Sequence, residues 1–150
     1  MNIRMAGLDW HVPIQLREQL SFPRGRVVEL NRLIRDNPGV EGCALLSTCN
    51  RTELYLSCAE GTEPDPAGLL CAAAGVDDAA FADFFTTCTG EAAARRLMEV
   101  AGGLRSQIWG EDQILTQVKG AISAAREAGT ADGVLETLFR SAAAAGKALK

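Results

Sequence analysis

Asn2 to Leu8 alternates in the manner of a strand, and Gly7-Leu8-Asp9-Trp10-His11 stops it. Pro13 can start a short helix through Leu20, with Leu16 and Leu20 four apart. Pro23 opens a second helix that carries Val27, Val28, Leu30, Leu33 and Ile34 on one side, and Asn37-Pro38-Gly39 ends it. Two strand patterns follow. The apolar run Cys43-Ala44-Leu45-Leu46 predicts a strand over about 41–47. Glu53-Leu54-Tyr55-Leu56-Ser57 alternates polar and apolar, which predicts a second over 52–58. A loop from Gly61 to Pro66, a helix from Ala67 to Ala74 ended by Gly75, and a last strand at Phe84 to Cys88 complete this half. The order strand–helix–strand–strand–helix–strand predicts an α+β, ferredoxin-like βαββαβ sheet over residues 1–88, with the middle strands as a hairpin.

From Thr89 onward the pattern is wholly helical, so residues 89–150 are expected to form a helical part. Thr89 is placed to cap a helix whose stripe is Ala93, Leu97, Met98 and Ala101, broken by Gly102-Gly103. The clearest helix is 111–128, where Ile114, Leu115, Val118, Ala121, Ile122 and Ala125 recur at helical spacing. Gly129 ends it, and Asp132 is placed to cap a last helix carrying Val134, Leu135, Leu138, Phe139, Ala142 and Leu149. That helix meets no stop signal, which is the pattern expected of a chain that continues.

Charge changes this picture only locally. Residues 1–58 hold seven basic and six acidic groups and residues 91–150 hold eight and seven. The acidic groups Glu60, Glu63, Asp65, Asp77, Asp78 and Asp83 lie between them with no Lys or Arg, as a solvated surface does. A net charge of −4 excludes a generally basic nucleic-acid binder, so any RNA contact must rest on local patches. The five cysteines contain no C-x-x-C pair, and His11 is the single histidine, which argues against a zinc site. Free thiols and the lack of a secretory signal or membrane span lead us to expect a cytoplasmic protein.

The chemistry-bearing stretch is Ser47-Thr48-Cys49-Asn50-Arg51-Thr52-Glu53-Leu54-Tyr55, which puts a thiol, an amide and a guanidinium on the turn between the two middle strands. A cysteine there serves either a substrate or, as a small hydrophobe, the end of a strand; the nonapeptide alone leaves both readings open. As a nucleophile it would attack an acyl carbon and form a thioester. Arg51 beside it suits a carboxylate bidentately. Gly110-Glu111-Asp112-Gln113-Ile114 opens the long helix with residues that suit its dipole, while Gln113 and Gln117, four apart, share one face. There is no G-x-G-x-x-G after a strand, and Trp10 and His11 are expected to pack on the sheet from their loop.

Together these segments resemble the N-terminal catalytic domain of glutamyl-tRNA reductase. The nonapeptide matches one signature of that family; Gly103-Leu104-Arg105-Ser106 followed by Gly110 to Lys119 matches a second; Leu16-Arg17-Glu18 after Gly7-Leu8 resembles a third. The resemblance implies that Cys49 attacks the ester of glutamyl-tRNA, releasing tRNA and leaving a thioester that NADPH reduces to glutamate-1-semialdehyde for tetrapyrrole synthesis. It implies that Thr48, Asn50, Arg51, Ser106, Glu111, Asp112, Gln113 and Gln117 bind the glutamyl end. It further implies that NADPH is held by a domain absent from this chain and that the full-length protein dimerises through another. Three departures stand out. Arg96 occupies the place of the family's histidine near the cysteine, Arg105 the place of an acidic residue, and the first loop is one residue shorter. They motivate an alternative, a divergent non-catalytic paralogue that binds glutamyl-tRNA or a protein partner.

Overall fold

The computed structural model describes residues 2–106 and 113–148. Strand β1 (Ile3–Leu8) leads to the short helix α1 (Ile14–Arg17), prolonged by a 3-10 turn at Glu18–Leu20, and then to α2 (Arg24–Arg35). Strands β2 (Val40–Ser47) and β3 (Thr52–Cys58) form the hairpin, followed by α3 (Pro66–Ala74), a 3-10 turn at Asp78–Ala80 and β4 (Thr86–Thr89). Three helices complete the chain: α4 (Gly90–Ala101), α5 (Gln113–Ala128) and α6 (Gly133–Ala148). The strand order is β2-β3-β1-β4, antiparallel throughout, which is the expected ferredoxin-like arrangement.

One expectation shifts. The last strand lies at Thr86–Thr89 rather than Phe84–Cys88: Phe85 packs into the core, Phe84 sits exposed in the preceding turn, and the threonines supply the extended edge. Alternation of the β3 kind commonly leaves one face to solvent, yet every β3 residue is buried. The reason is tertiary. Leu54, Leu56 and Cys58 join Leu8, Leu45, Leu30 and Ile34 under α2 and α3. Tyr55, Ile3, Met5 and Leu46 face Leu97, Val118 and Phe139 of α4, α5 and α6 on the opposite side. The Tyr55 and Phe139 rings meet edge to face, with centroids 5.8 Å apart. The helical part is thus a lid on the sheet's second face.

The connection from α5 to α6 fastens this lid to β2. The Cys43 amide donates to the Thr130 carbonyl at 3.0 Å, and the Thr130 hydroxyl donates to the Cys43 carbonyl at 2.8 Å. Gly42 makes the approach possible: a Cβ there would stand 2.8 Å from the Asp132 side chain and 2.9 Å from the Thr130 carbonyl. Asp132 caps α6 as expected, accepting from the Leu135 amide at 3.0 Å. Thr89 occupies the position before α4, but its side chain makes no capping bond. No helix among the described residues is long and apolar enough to cross a membrane.

Candidate active site around Cys49

The β2–β3 turn is built by its own polar atoms. Thr48 donates its amide to the Arg51 carbonyl at 2.8 Å, and its hydroxyl accepts from the amides of Asn50 (3.2 Å) and Arg51 (3.1 Å). Thr48 is therefore engaged in shaping the turn. Cys49, between these anchors, is exposed. From the other side Arg17 donates to the Cys49 carbonyl at 3.1 Å and to the Val12 carbonyl at 2.9 Å, fixing the first loop against the turn. Sequence reasoning left Arg17 out of the site; its place in Leu16-Arg17-Glu18 was the available signal.

Arg51 is 3% exposed, and its guanidinium is held from behind. It donates to Glu53 Oε2 at 3.1 Å and to the Arg105 carbonyl. Three of its five N–H donors stay uncommitted among the described residues. Arg96 donates to the same Glu53 oxygen from Nε (3.1 Å) and Nη2 (2.9 Å), and stands 3.7 Å from Asp9. Burial pulls Arg96 down, but the Glu53 carboxylate outweighs it and holds the guanidinium above its usual value. Tyr55 completes the group, its hydroxyl donating to Glu53 Oε1 at 2.8 Å; burial, then the Glu53 charge, push that phenol well up.

Glu53, fully buried, is the hub of this cluster, and the sequence pattern did not reveal it as one. Its room comes from the facing strand. Gly7 pairs with Glu53, and a Cβ at Gly7 would lie 2.7 Å from Glu53 Cγ. Two guanidiniums against one buried carboxylate leave one formal positive charge, offset in part by Asp9. Burial raises Asp9, but bonds from the His11 amide and ring, with the charges of His11 and Arg51, hold it below the ordinary carboxylate range.

Two clefts open from Cys49. On the α5 side, Thr48, Cys49, Asn50 and Arg51 meet Ser106, Gln113 and Gln117, so seven of the ten expected site residues come together. Arg96 lies behind them through Glu53, and Glu111 and Asp112 fall outside the described residues. The Asn50 side chain makes no hydrogen bond among the described residues. On the α1 side, Thr48, Cys49 and Arg51 meet Ile14, Arg17, Glu18 and Ser21 around about 210 Å³. The Arg105 side chain turns to Glu99, with bonds of 3.1 and 3.0 Å; what it gives the site is its carbonyl, which also accepts from Trp10 Nε1 at 3.3 Å. Trp10 stacks on His11. Among the described residues no group of three or more His, Cys, Asp or Glu could hold a metal ion.

The fold and site define an α+β domain that presents one exposed thiol on a hairpin turn, backed by a buried ion cluster and flanked by polar clefts. Residues 8–150 match the family model described as glutamyl-tRNAGlu reductase, N-terminal domain, and the chain belongs to that family. It is 44% identical to the glutamyl-tRNA reductase of Acetivibrio thermocellus and 43% identical to that of Alkaliphilus oremlandii; in each case all of this chain covers 46% and 45% of the relative. The solved structure of glutamyl-tRNA reductase from Methanopyrus kandleri superposes with a TM-score of 0.79 at 33% identity, over 98% of this chain and 34% of that one. The chain thus spans less than half the length of these relatives.

Proposed function

We propose that this chain is the acyl-accepting domain of a glutamyl-tRNA reductase acting in tetrapyrrole synthesis. The observation that carries the reading is the exposed Cys49, held at the meeting point of two clefts by Thr48 and Arg17. Its sulfur attacks the ester carbonyl of glutamyl-tRNA. A sulfur–carbon bond forms, the bond from that carbon to the ribose oxygen breaks, and the ribose hydroxyl leaves with the proton the thiol gave up. The Arg51 donors left uncommitted among the described residues favour an acyl group that carries a carboxylate. Asn50, Ser106, Gln113 and Gln117 supply neutral hydrogen-bonding partners beside it.

The reading leaves NADPH to residues outside this chain. Gly102 and Gly103 close helix α4 instead of joining a strand to a helix, and no glycine-rich phosphate turn exists in the chain. The thioester is the end point assigned to this chain, and its reduction belongs to residues outside it.

The test is intact-mass spectrometry after brief incubation with glutamyl-tRNA, beside Cys49→Ser. A glutamyl adduct on the wild type alone is expected; an equal adduct on Cys49→Ser overturns the assignment. One observation favours the second reading, a non-catalytic binder: Arg96 is bonded to Glu53 through Nε and Nη2 and, always charged, moves no proton. Binding of tRNA with no adduct would select it.

A further inference from the structure

Between α2, the end of β2 and α5 lies a separate cleft of about 160 Å³, and Cys49, Asn50 and Arg51 are not among its walls. Phe22, Val27, Leu45, Ala121 and Ala124 make those walls apolar. Gln117, Gly120, Ala121 and Ala124 recur at helical spacing, so α5 turns one face to the cleft. Gly120 is the odd member of that face. A glycine in a helix interior is destabilising relative to alanine, and neither packing nor backbone requires this one. A Cβ there would meet nothing within 4 Å, and Gly120 is not among the glycines with positive φ. What the glycine does provide is room in the cleft.

The polar groups around this apolar space are chiefly donors. Arg24 donates to the Gly120 carbonyl and to Ser123 Oγ, each at 3.3 Å, which leaves three of its five N–H donors uncommitted among the described residues. The Ser47 oxygen accepts from the Phe22 amide at 2.9 Å, and its own O–H meets no acceptor among the described residues. The margin of β2 adds main-chain donors. Thr130 takes the Cys43 amide and carbonyl on the side away from β3, and strand alternation turns the Leu45 and Ser47 main-chain groups the same way. Those two N–H groups meet no acceptor among the described residues. The lining holds one cation and no carboxylate.

We infer that this cleft is a binding site for a small carboxylate with a flat or branched apolar body. Its charge lies on Arg24 and the β2 amides, and its body rests against Phe22, Leu45 and Ala124. The site stands apart from the acyl-acceptor reading and survives its failure. Gln117 lines this cleft and the α5-side cleft of Cys49 alike, so a ligand here is one side chain away from the space in front of the thiol.

Benzoate is the probe, read by the methyl resonances of Val27, Leu45 and Ala124 in the wild-type protein. Apolar cavities of roughly 150 Å³ admit a benzene ring, so the size matches. Saturable shifts are expected, with a Kd in the millimolar range. Benzamide, with the same shape and no charge, is expected to bind at least about tenfold more weakly, as is benzoate to Arg24→Gln. Gly120→Leu, which puts a side chain into the space, should abolish the shifts while circular dichroism shows the helices kept. Arg32→Gln is the control. Arg32 also straps α2 to α5, at the Glu127 carbonyl, but stands outside the cleft, so this variant should bind as wild type does. Equal binding of benzoate and benzamide overturns the inference, as does an absence of saturable shifts in wild type or full binding by Arg24→Gln or Gly120→Leu. An equal loss in Arg32→Gln and Arg24→Gln overturns it too, because the strap and not the charge would then matter. Glutamate that shifts the same methyls as tightly as benzoate would also overturn it, by giving the cleft to the acyl group.

Discussion

Neighbouring residues of β3 sit in opposite worlds. Leu54 faces the layer under α2 and α3, where leucines, valines and Ile34 fill the space and the cysteines behave as small hydrophobes. Glu53 faces the layer under α4, where a carboxylate, two guanidiniums and a phenol are sealed among equally apolar neighbours. The first layer gains stability from each side chain it hides, about 1.5–3 kcal/mol for a large one. The second gains little from its ions, because desolvation consumes most of their attraction. What the ion cluster gives is position: it fixes Arg51 behind Cys49 and ties the turn to the helical lid through the Arg105 carbonyl.

The largest effects should come from this pair of residues. Glu53→Ala strands two buried guanidiniums and is expected to cost about 3–5 kcal/mol, with Leu54→Ala in the range of about 2–5 kcal/mol, both read from urea unfolding. The contrast lies in the rescue. Replacing the whole ion group with Arg51→Met, Glu53→Leu and Arg96→Met together should return stability to within roughly 1 kcal/mol of wild type, while Cys49 loses its acylation by glutamyl-tRNA. A triple variant as unstable as Glu53→Ala would mean that the ions hold the fold as the leucines do.

Thiol reactivity gives a second, smaller contrast. Burial pushes Cys43 up to about 12 and Cys71 up to about 11, and both lie in the apolar layer. Alkylation of the native protein near neutral pH, followed by peptide mass analysis, should label exposed Cys49 more than about tenfold faster than either. Comparable labelling of Cys71 would show that the apolar layer opens readily. The smallest effect concerns acid. Asp9 is held below its usual 3.8, so its contribution is complete above that value and is lost as pH falls through the lower folded value. Asp9→Asn should therefore flatten the loss of stability below about pH 4, measured as the urea midpoint against pH.

The apolar layer was legible in the sequence because period-two and helical repeats report which residues seek a core. They marked every strand and every long helix, missing chiefly where phenylalanines outweighed threonines in placing β4. The site was legible in part. Spacing put Cys49 on its turn, and the motifs gathered Asn50, Ser106, Gln113 and Gln117, which the fold brings together. Glu53 was not legible as a hub, because polar alternation in a strand reads as solvent unless one knows that α4, α5 and α6 fold back over it. Arg51 and Arg96 were read for what they could offer the thiol or its substrate, and the carboxylate that joins them is visible only in the fold.

The fastening of β2 by Thr130 has a consequence unrelated to the thiol. A sheet margin carries main-chain donors and acceptors onto which a foreign strand can zip. Here one margin is stoppered midway by the molecule's own loop, with Gly42 as the notch that admits it. The opposite margin is only four residues of β4, largely threonine. The same sequence that exposes a reactive turn thus guards its flanks against self-association, one by a plug and the other by brevity.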